Sequence, residues 1–225
     1  RTDKKLSAQE AQQFMQSMAS SGEIEYIEID QMLQPFATPS DPRYSDQWHY
    51  FEQTAGINLP SAWDSATGAG VTVAVLDTGY RPHADLAANL LAGYDMISDT
   101  FVANDGGGRD NDARDPGDAI TANECGYTHG AQGSSWHGTH VAGTVAAVAN
   151  NGEGVTGVAY DANIVPVRVL GKCGGLTSDI ADAIVWASGG SVSGVPANAN
   201  PADVINMSLG GSGSCSSTPQ NAINQ

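Results

Sequence analysis

VTVAVLD, residues 71–77, is the stretch on which the fold is read. It is a nearly continuous apolar run, rich in valine, and it leads straight into Asp77-Thr78-Gly79. Such a run fits a strand buried on both faces of a parallel sheet. Sheets of that kind deliver polar side chains at the carboxyl ends of their strands. Further along, HGTHVAGTVAAVAN at 137–150 carries small and apolar residues all round and predicts a buried helix. NIVPVRVL at 163–170 predicts the next strand, Thr177 caps a helix running through SDIADAIVWAS, and DVINMSLGG at 203–211 predicts another strand. NAINQ at 221–225 reads as the first turns of one more helix. The alternation of strand and helix predicts an α/β fold with a mainly parallel β-sheet flanked by helices.

Toward the N-terminus the pattern changes. Residues 37–60 hold Pro39, Pro42 and Pro60, and ATPSDPRYSD reads as an exposed linker. PSAWDSA predicts a short helix. Residues 1–36 stand apart as a small α+β segment. Ser7 and Glu10 form a capping box for a helix that Gly22 closes, and EIEYIEI at 23–29 reads as a strand. One helix and one strand cannot make a core, so this segment must pack on something else.

Charge narrows the partners. The chain has 225 residues, with 9 Lys plus Arg against 25 Asp plus Glu, a formal charge of -16. It repels phosphate backbones, and an aromatic content of 7% offers few stacking platforms, so no nucleic-acid partner is expected. No run reaches the length of a membrane span. The chain opens at Arg1 with no basic-then-apolar leader, which says little about a precursor. Three cysteines, Cys125, Cys173 and Cys215, are an odd count. Either all are thiols, or one pair is bridged and the third lacks a partner.

Chemistry-bearing residues are few. Asp77 closes a buried strand, where a carboxylate can accept a histidine N–H and fix its tautomer. His137 opens the buried helix. The positive end of the helix dipole there favours neutral imidazole, the form a general base needs. His140, one turn on, is read as an ordinary helix residue. No nucleophile stands out: Ser134 and Ser135 crowd His137, and Ser208 sits in a small-residue strand end. Cys125, His129, His137 and His140 are residue types that zinc accepts, but their spacing matches no tight structural site. The window 95–118 is rich in Asp and Gly and reads as a long surface loop able to offer oxygen ligands to calcium.

VTVAVLDTG at 71–79, SWHGTHVAGTVAA at 135–147 and DVINMSLGG at 203–211 together resemble the subtilisin-like serine endopeptidases, the subtilases. The likeness covers about residues 40–225 and looks closest to secreted bacterial members. It implies a three-layer fold and an Asp-His-Ser triad in that chain order. Asp77 and His137 fall on its first two members. The family's G-T-S-M-A-type serine motif and its A-A-G-N-type oxyanion stretch do not occur here and are expected beyond Gln225. The segment would then be inactive alone and would need the remaining C-terminal part of the catalytic domain.

The resemblance implies more. Ser208, Leu209 and Gly210 would form one edge of a peptide-binding groove, and Gly174, Gly175 and Leu176 the other, with broad specificity and a preference for large apolar P1 side chains. Asp85, Asn151 and the carbonyls of Gly152 and Gly154 would hold one calcium ion. Asp105, Asp110, Asp112 and Asp118 would supply a second site. Cys125 and Cys173 would be bridged, with Cys215 paired outside this segment. Residues 1–36 resemble the C-terminal part of an inhibitory propeptide, cleaved near Phe36–Ala37 from a catalytic domain at 37–225. A monomer is expected once the protein is complete. A non-catalytic subtilase-like binding protein and a zinc-dependent hydrolase are the alternatives.

Overall fold

The computed structural model describes residues 6–22, 24–27, 38–214 and 216–225. The chain divides into two units, Arg1–Phe36 and Ala37–Gln225. The first unit contains helix α1, Ala8–Ser20. Ser7 Oγ accepts from Glu10 N–H at 3.3 Å and the Glu10 carboxylate accepts from Ser7 N–H at 2.8 Å. The Ser7 N–H and hydroxyl, both donating to the Glu10 carboxylate, hold that carboxyl below its ordinary range. The expected strand differs: residues 24–27 are not in a strand, and none of them has a ladder partner among the described residues. A strand without a pairing neighbour leaves its amides to water. Residues 23, 28 and 29 of that stretch, and the pair Phe36–Ala37, lie outside the described residues.

In the second unit the order is α2 Leu59–Trp63, β1 Thr72–Asp77, α3 Ala84–Ala87, β2 Tyr94–Asp95, α4 Thr100–Ala103, α5 His137–Ala146, β3 Asn163–Arg168, α6 Thr177–Ala187, β4 Val204–Asn206 and α7 Ser217–Ile223. The described strands form one sheet in the order β2-β3-β1-β4, with every pairing parallel. Along β1 the side chains alternate between two cores. Ala74 and Leu76 join Val165, Val167 and the buried apolar residues of α6 on one face. Val73 and Val75 join Ile164, Leu86 of α3, and Ala142 and Ala146 of α5 on the other. Period-two strands between two helical layers give the three-layer α/β fold. Because β3 and β4 flank β1 on opposite sides, the chain reverses its progression around β1. A crevice at the carboxyl ends of the strands follows from that reversal.

Several local expectations are revised. Thr177 is the first residue of α6, and Leu176 occupies the N-cap without a side-chain bond. The strand expected over 203–211 is only Val204–Asn206, because the small residues after it lack a ladder partner among the described residues. ATPSDPRYSD is exposed at most of its described positions, as expected, but it is anchored at others. Ser40 N–H donates to Asn150 Oδ1 at 3.0 Å, Arg43 N–H to the Gly154 carbonyl at 2.9 Å, and Asp41 and Tyr44 are buried. Tyr44 packs with Tyr50, Leu59 and Trp63 in a third apolar cluster.

The window 95–118 is not a solvated loop throughout. It contains α4 and the end of β2, and Asp95 and Asp115 are buried. The cause lies on β3. The buried Arg168 guanidinium pairs with Asp95, with Asp105 at 3.0 Å, and with the Ala103 carbonyl. A buried cation needs such partners. Burial pushes the Asp95 carboxyl up to about 7 while the Arg168 charge pulls it down.

Candidate active site

Asp77 ends β1 at the carboxyl edge of the sheet, and its side chain is fully buried. His137 is the first residue of α5, 60 residues away in sequence. The two meet: His137 Nδ1 lies 2.8 Å from Asp77 Oδ1 and 2.9 Å from Oδ2. The imidazole is half-exposed, at 47%, against 0% for the carboxylate. An acceptor-only carboxylate at Nδ1 favours the tautomer with its proton there, which in the neutral ring leaves the lone pair on Nε2. Thr78 N–H donates to Asp77 Oδ1 at 2.7 Å and fixes the carboxylate. The helix start rests directly on the turn after β1, because Gly138 has no side chain: a methyl group there would stand 2.2 Å from the Gly79 carbonyl oxygen. His140 is exposed, one turn further on.

A cleft of about 1010 Å³ opens beside His137. Ser208, Leu209 and Gly210, which follow β4, line it together with Gly174 and Gly175 of the turn before α6. Leu176 is not among the lining residues; it is exposed at the N-cap of α6. Ile180, Ile184 and Ile223 make part of the cleft apolar. Other wall residues carry no sequence signal of their own, among them Ile120, Tyr127 and Gln132. Ile120 and Gln132 pair antiparallel, so the segment between them is an excursion that ends on the cleft. No periodicity announces it. The one sequence signal was Cys125, which is bonded to Cys173 in the turn on the facing side. Lys172 reinforces the tie, its ammonium 2.6 Å from Glu124, whose carboxyl it holds below the ordinary range. The disulfide removes Cys125 from the zinc set, and among the described residues no group of three or more His, Cys, Asp or Glu could hold a metal ion. Cys215 lies outside the described residues.

The expected calcium ligands separate into two places. Asp85 is buried at the start of α3. Its oxygens accept from Asn151 Nδ2 at 2.8 Å and Val155 N–H at 2.9 Å. Gly154 lies so close that a methyl group there would stand 2.3 Å from Asp85 Oδ2. Asp41, from the proline-containing stretch before α2, accepts from the N–H groups of Asn150 and Asn151 and from the Thr156 hydroxyl. Two buried carboxylates therefore close on one Asn- and Gly-containing loop that also contains Gly152. The partners that Asp41 and Asp85 have there are N–H and hydroxyl donors.

The four-aspartate set is not assembled. Asp105, Asp110 and Asp112 line one cavity of about 410 Å³. Within it Asp105 pairs with Arg168, and the Arg114 guanidinium beside Asp112 holds its carboxyl low. Asp118 lies elsewhere, accepting from Ser135 N–H and Oγ at 2.6 and 2.7 Å.

The chain has relatives among known proteins. The family model described as the subtilase family matches residues 68–225. An extracellular protease of Xanthomonas campestris pv. campestris is 62% identical over 224 residues, covering 100% of this chain and 39% of that protein. An extracellular basic protease of Dichelobacter nodosus is 50% identical, covering 96% of this chain and 36% of that protein. A solved structure of a protease from Pseudoalteromonas arctica superposes with a TM-score of 0.82 at 81% identity, over 84% of this chain and 55% of that one. The chain thus spans well under two thirds of each of these relatives. With a match to most of its length, a parallel sheet of the same architecture, and Asp77 and His137 joined at the head of a cleft, this chain belongs to the subtilase family.

Proposed function

We propose that the full-length protein is a secreted serine endopeptidase that cleaves proteins through an acyl-enzyme, with Asp77 and His137 as two of its three triad members. The observation that carries this reading is the Asp77–His137 hydrogen bond at the edge of a cleft lined by backbone-rich segments. In this reading His137 Nε2 takes the proton of a serine hydroxyl as that oxygen attacks the peptide carbonyl. His137 then passes the proton to the leaving amine. Asp77 holds the tautomer and stabilises the imidazolium by charge. The serine and the oxyanion donors are assigned to the longer protein. The substrate backbone lies between Gly174–Gly175 and Ser208–Gly210, where main-chain pairing demands little of substrate side chains. The apolar part of the cleft favours a large apolar side chain beside the cleaved bond.

Secretion is supported by the extracellular relatives and by the disulfide, which persists in oxidising compartments. Residues 1–36 are read as the end of an inhibitory propeptide and 37–225 as the start of the catalytic domain of a monomer. Asp85, Asp41 and Asn151, with loop carbonyls at Gly152 and Gly154, would hold calcium. The ion would lock the loop after α5 against α3.

The test is hydrolysis of an unfolded protein substrate by the full-length protein. Asp77→Asn should lower kcat on the order of 10⁴-fold, because the imidazole loses its tautomer control. The 225-residue chain alone should not turn over. Hydrolysis that survives His137→Ala would refute the reading.

A further inference from the structure

The first N–H groups of a helix have no partner within the helix and must find one outside it. In α5, Trp136 occupies the N-cap in the left-handed region at φ 51° and its side chain makes no capping bond. Two hydroxyls from elsewhere do the work. Ser135 Oγ accepts from His137 N–H at 3.3 Å, and Thr78 Oγ1 accepts from Gly138 N–H at 3.0 Å. Each hydroxyl gives its proton to a carboxylate: Ser135 to Asp118 at 2.7 Å, Thr78 to Asp115 at 2.8 Å. A carboxylate accepts only, so it fixes which way the hydroxyl proton points. The oxygen lone pair is thereby aimed at the helix.

The Thr78 arm is the buried one. Asp115 is 4% exposed, and its other oxygen accepts from Gly117 N–H at 2.8 Å. Burying a carboxylate among neutral donors is unfavourable, and no arginine or lysine pairs with it among the described residues. Its backbone is fixed as well: Asp115 N–H donates to the Tyr80 carbonyl at 2.8 Å, and Tyr80 N–H to Ala113 at 3.2 Å. Thr78 thus bonds Asp77 on one side and the residue after His137 on the other. Its N–H holds the Asp77 carboxylate, and its hydroxyl holds the residue after His137.

We propose that Asp115 is a positioning residue for catalysis: through the Thr78 hydroxyl it sets the start of α5 so that the His137 ring lies in register with Asp77. This rests on the peptidase reading above. Asp115 touches no reacting atom. It determines the direction of one hydroxyl, and that hydroxyl determines where the imidazole stands.

The test compares Thr78→Val, Thr78→Ser, Asp115→Ala and Asp115→Asn in the full-length protein. Two readouts are used: kcat and KM on a peptide anilide, and the low-field proton resonance of the hydrogen-bonded His137 Nδ1–H. Thr78→Val and Asp115→Ala should each lower kcat on the order of 10- to 100-fold with KM changed less than about twofold, since a displaced base harms the transition state more than ground-state binding. They should also broaden or remove the low-field resonance. Thr78→Ser restores the hydroxyl and should restore both. Asp115→Asn keeps an oxygen for Thr78 but gives up the second acceptor, so it should fall between. The proposal is overturned if Asp115→Ala keeps kcat and the resonance, or if Thr78→Ser loses as much as Thr78→Val. If Asp115→Ala does not fold, the Thr78 pair decides. If the unaltered protein shows no hydrolysis, the peptidase reading fails, while the resonance in the same variants still judges the relay.

Discussion

Gly138→Ala isolates the contact between α5 and the turn after β1. In an open helix position, replacing Gly by Ala stabilises by about 1 kcal/mol, because alanine loses less backbone freedom on folding. At Gly138 that gain meets a wall. The new methyl would stand 2.2 Å from the Gly79 carbonyl oxygen and 3.1 Å from both Cβ and Oδ1 of Asp77. A relaxed C···O contact is about 3.3 Å or more, so the helix must retreat by roughly 1 Å. Both neighbours belong to backbone or to a buried carboxylate, and neither can swing aside. Overpacking of this kind costs about 1–3 kcal/mol, which outweighs the propensity gain. The retreat also lengthens the His137–Asp77 bond from 2.8 Å, and a displacement near 1 Å is worth on the order of 100-fold in rate. Gly143, in the same helix, is the control, since a methyl there meets no described atom within 4 Å. Urea unfolding should place Gly143→Ala above the unaltered protein and Gly138→Ala below it. Only Gly138→Ala should lose hydrolysis in the full-length protein. If both variants are stabilised alike and both hydrolyse normally, the close-contact reasoning is wrong.

Three further outcomes are expected. The Cys125–Cys173 bridge spans a sequence separation of 48, worth about 4 kcal/mol in the chain-entropy account, so the double serine variant should melt roughly 10 °C lower. An unshifted midpoint would show that the bridge does not constrain the unfolded chain. Burial pushes the Tyr50 hydroxyl from 10.0 up to about 12. Its folded value lies above the unfolded one, so its stabilisation is complete below pH 10 and is lost as pH rises toward 12, on the order of 3 kcal/mol in all. Tyr50→Phe should flatten that alkaline decline while losing about 1 kcal/mol at neutral pH with the 3.0 Å bond to the Thr156 carbonyl; parallel pH profiles would contradict this. Chelation of calcium should lower the melting midpoint of the unaltered protein and leave Asp85→Asn, already weakened, nearly insensitive. Equal midpoints with and without the ion in the unaltered protein would remove calcium from the Asp85 loop.

Strands β1, β3 and β4 and the two long helices of the second unit are legible because burial imposes a local period that a sequence displays, whereas the two-residue β2 is too short to show one. VTVAVLD reads as β1, NIVPVRVL as β3, and the small residues after His137 as α5, each within a few residues of its observed bounds. Asp77 and His137 were legible for a related reason: one ends a buried run and the other starts one, and both ends lie at the edge of a parallel sheet. The remainder depends on residues brought together from far apart in the chain. Asp41 has the surroundings of a linker residue until the loop at 150–156, more than 100 residues away, closes on it. The aspartates of 95–118 look alike in sequence, yet Arg168 draws in Asp95 and Asp105, Thr78 takes Asp115, and Ser135 takes Asp118. An acidic side chain records no preference among distant cations and hydroxyls in its neighbouring letters. Local periodicity specifies which face of an element is buried; the partner of each buried charge is set by how the layers stack.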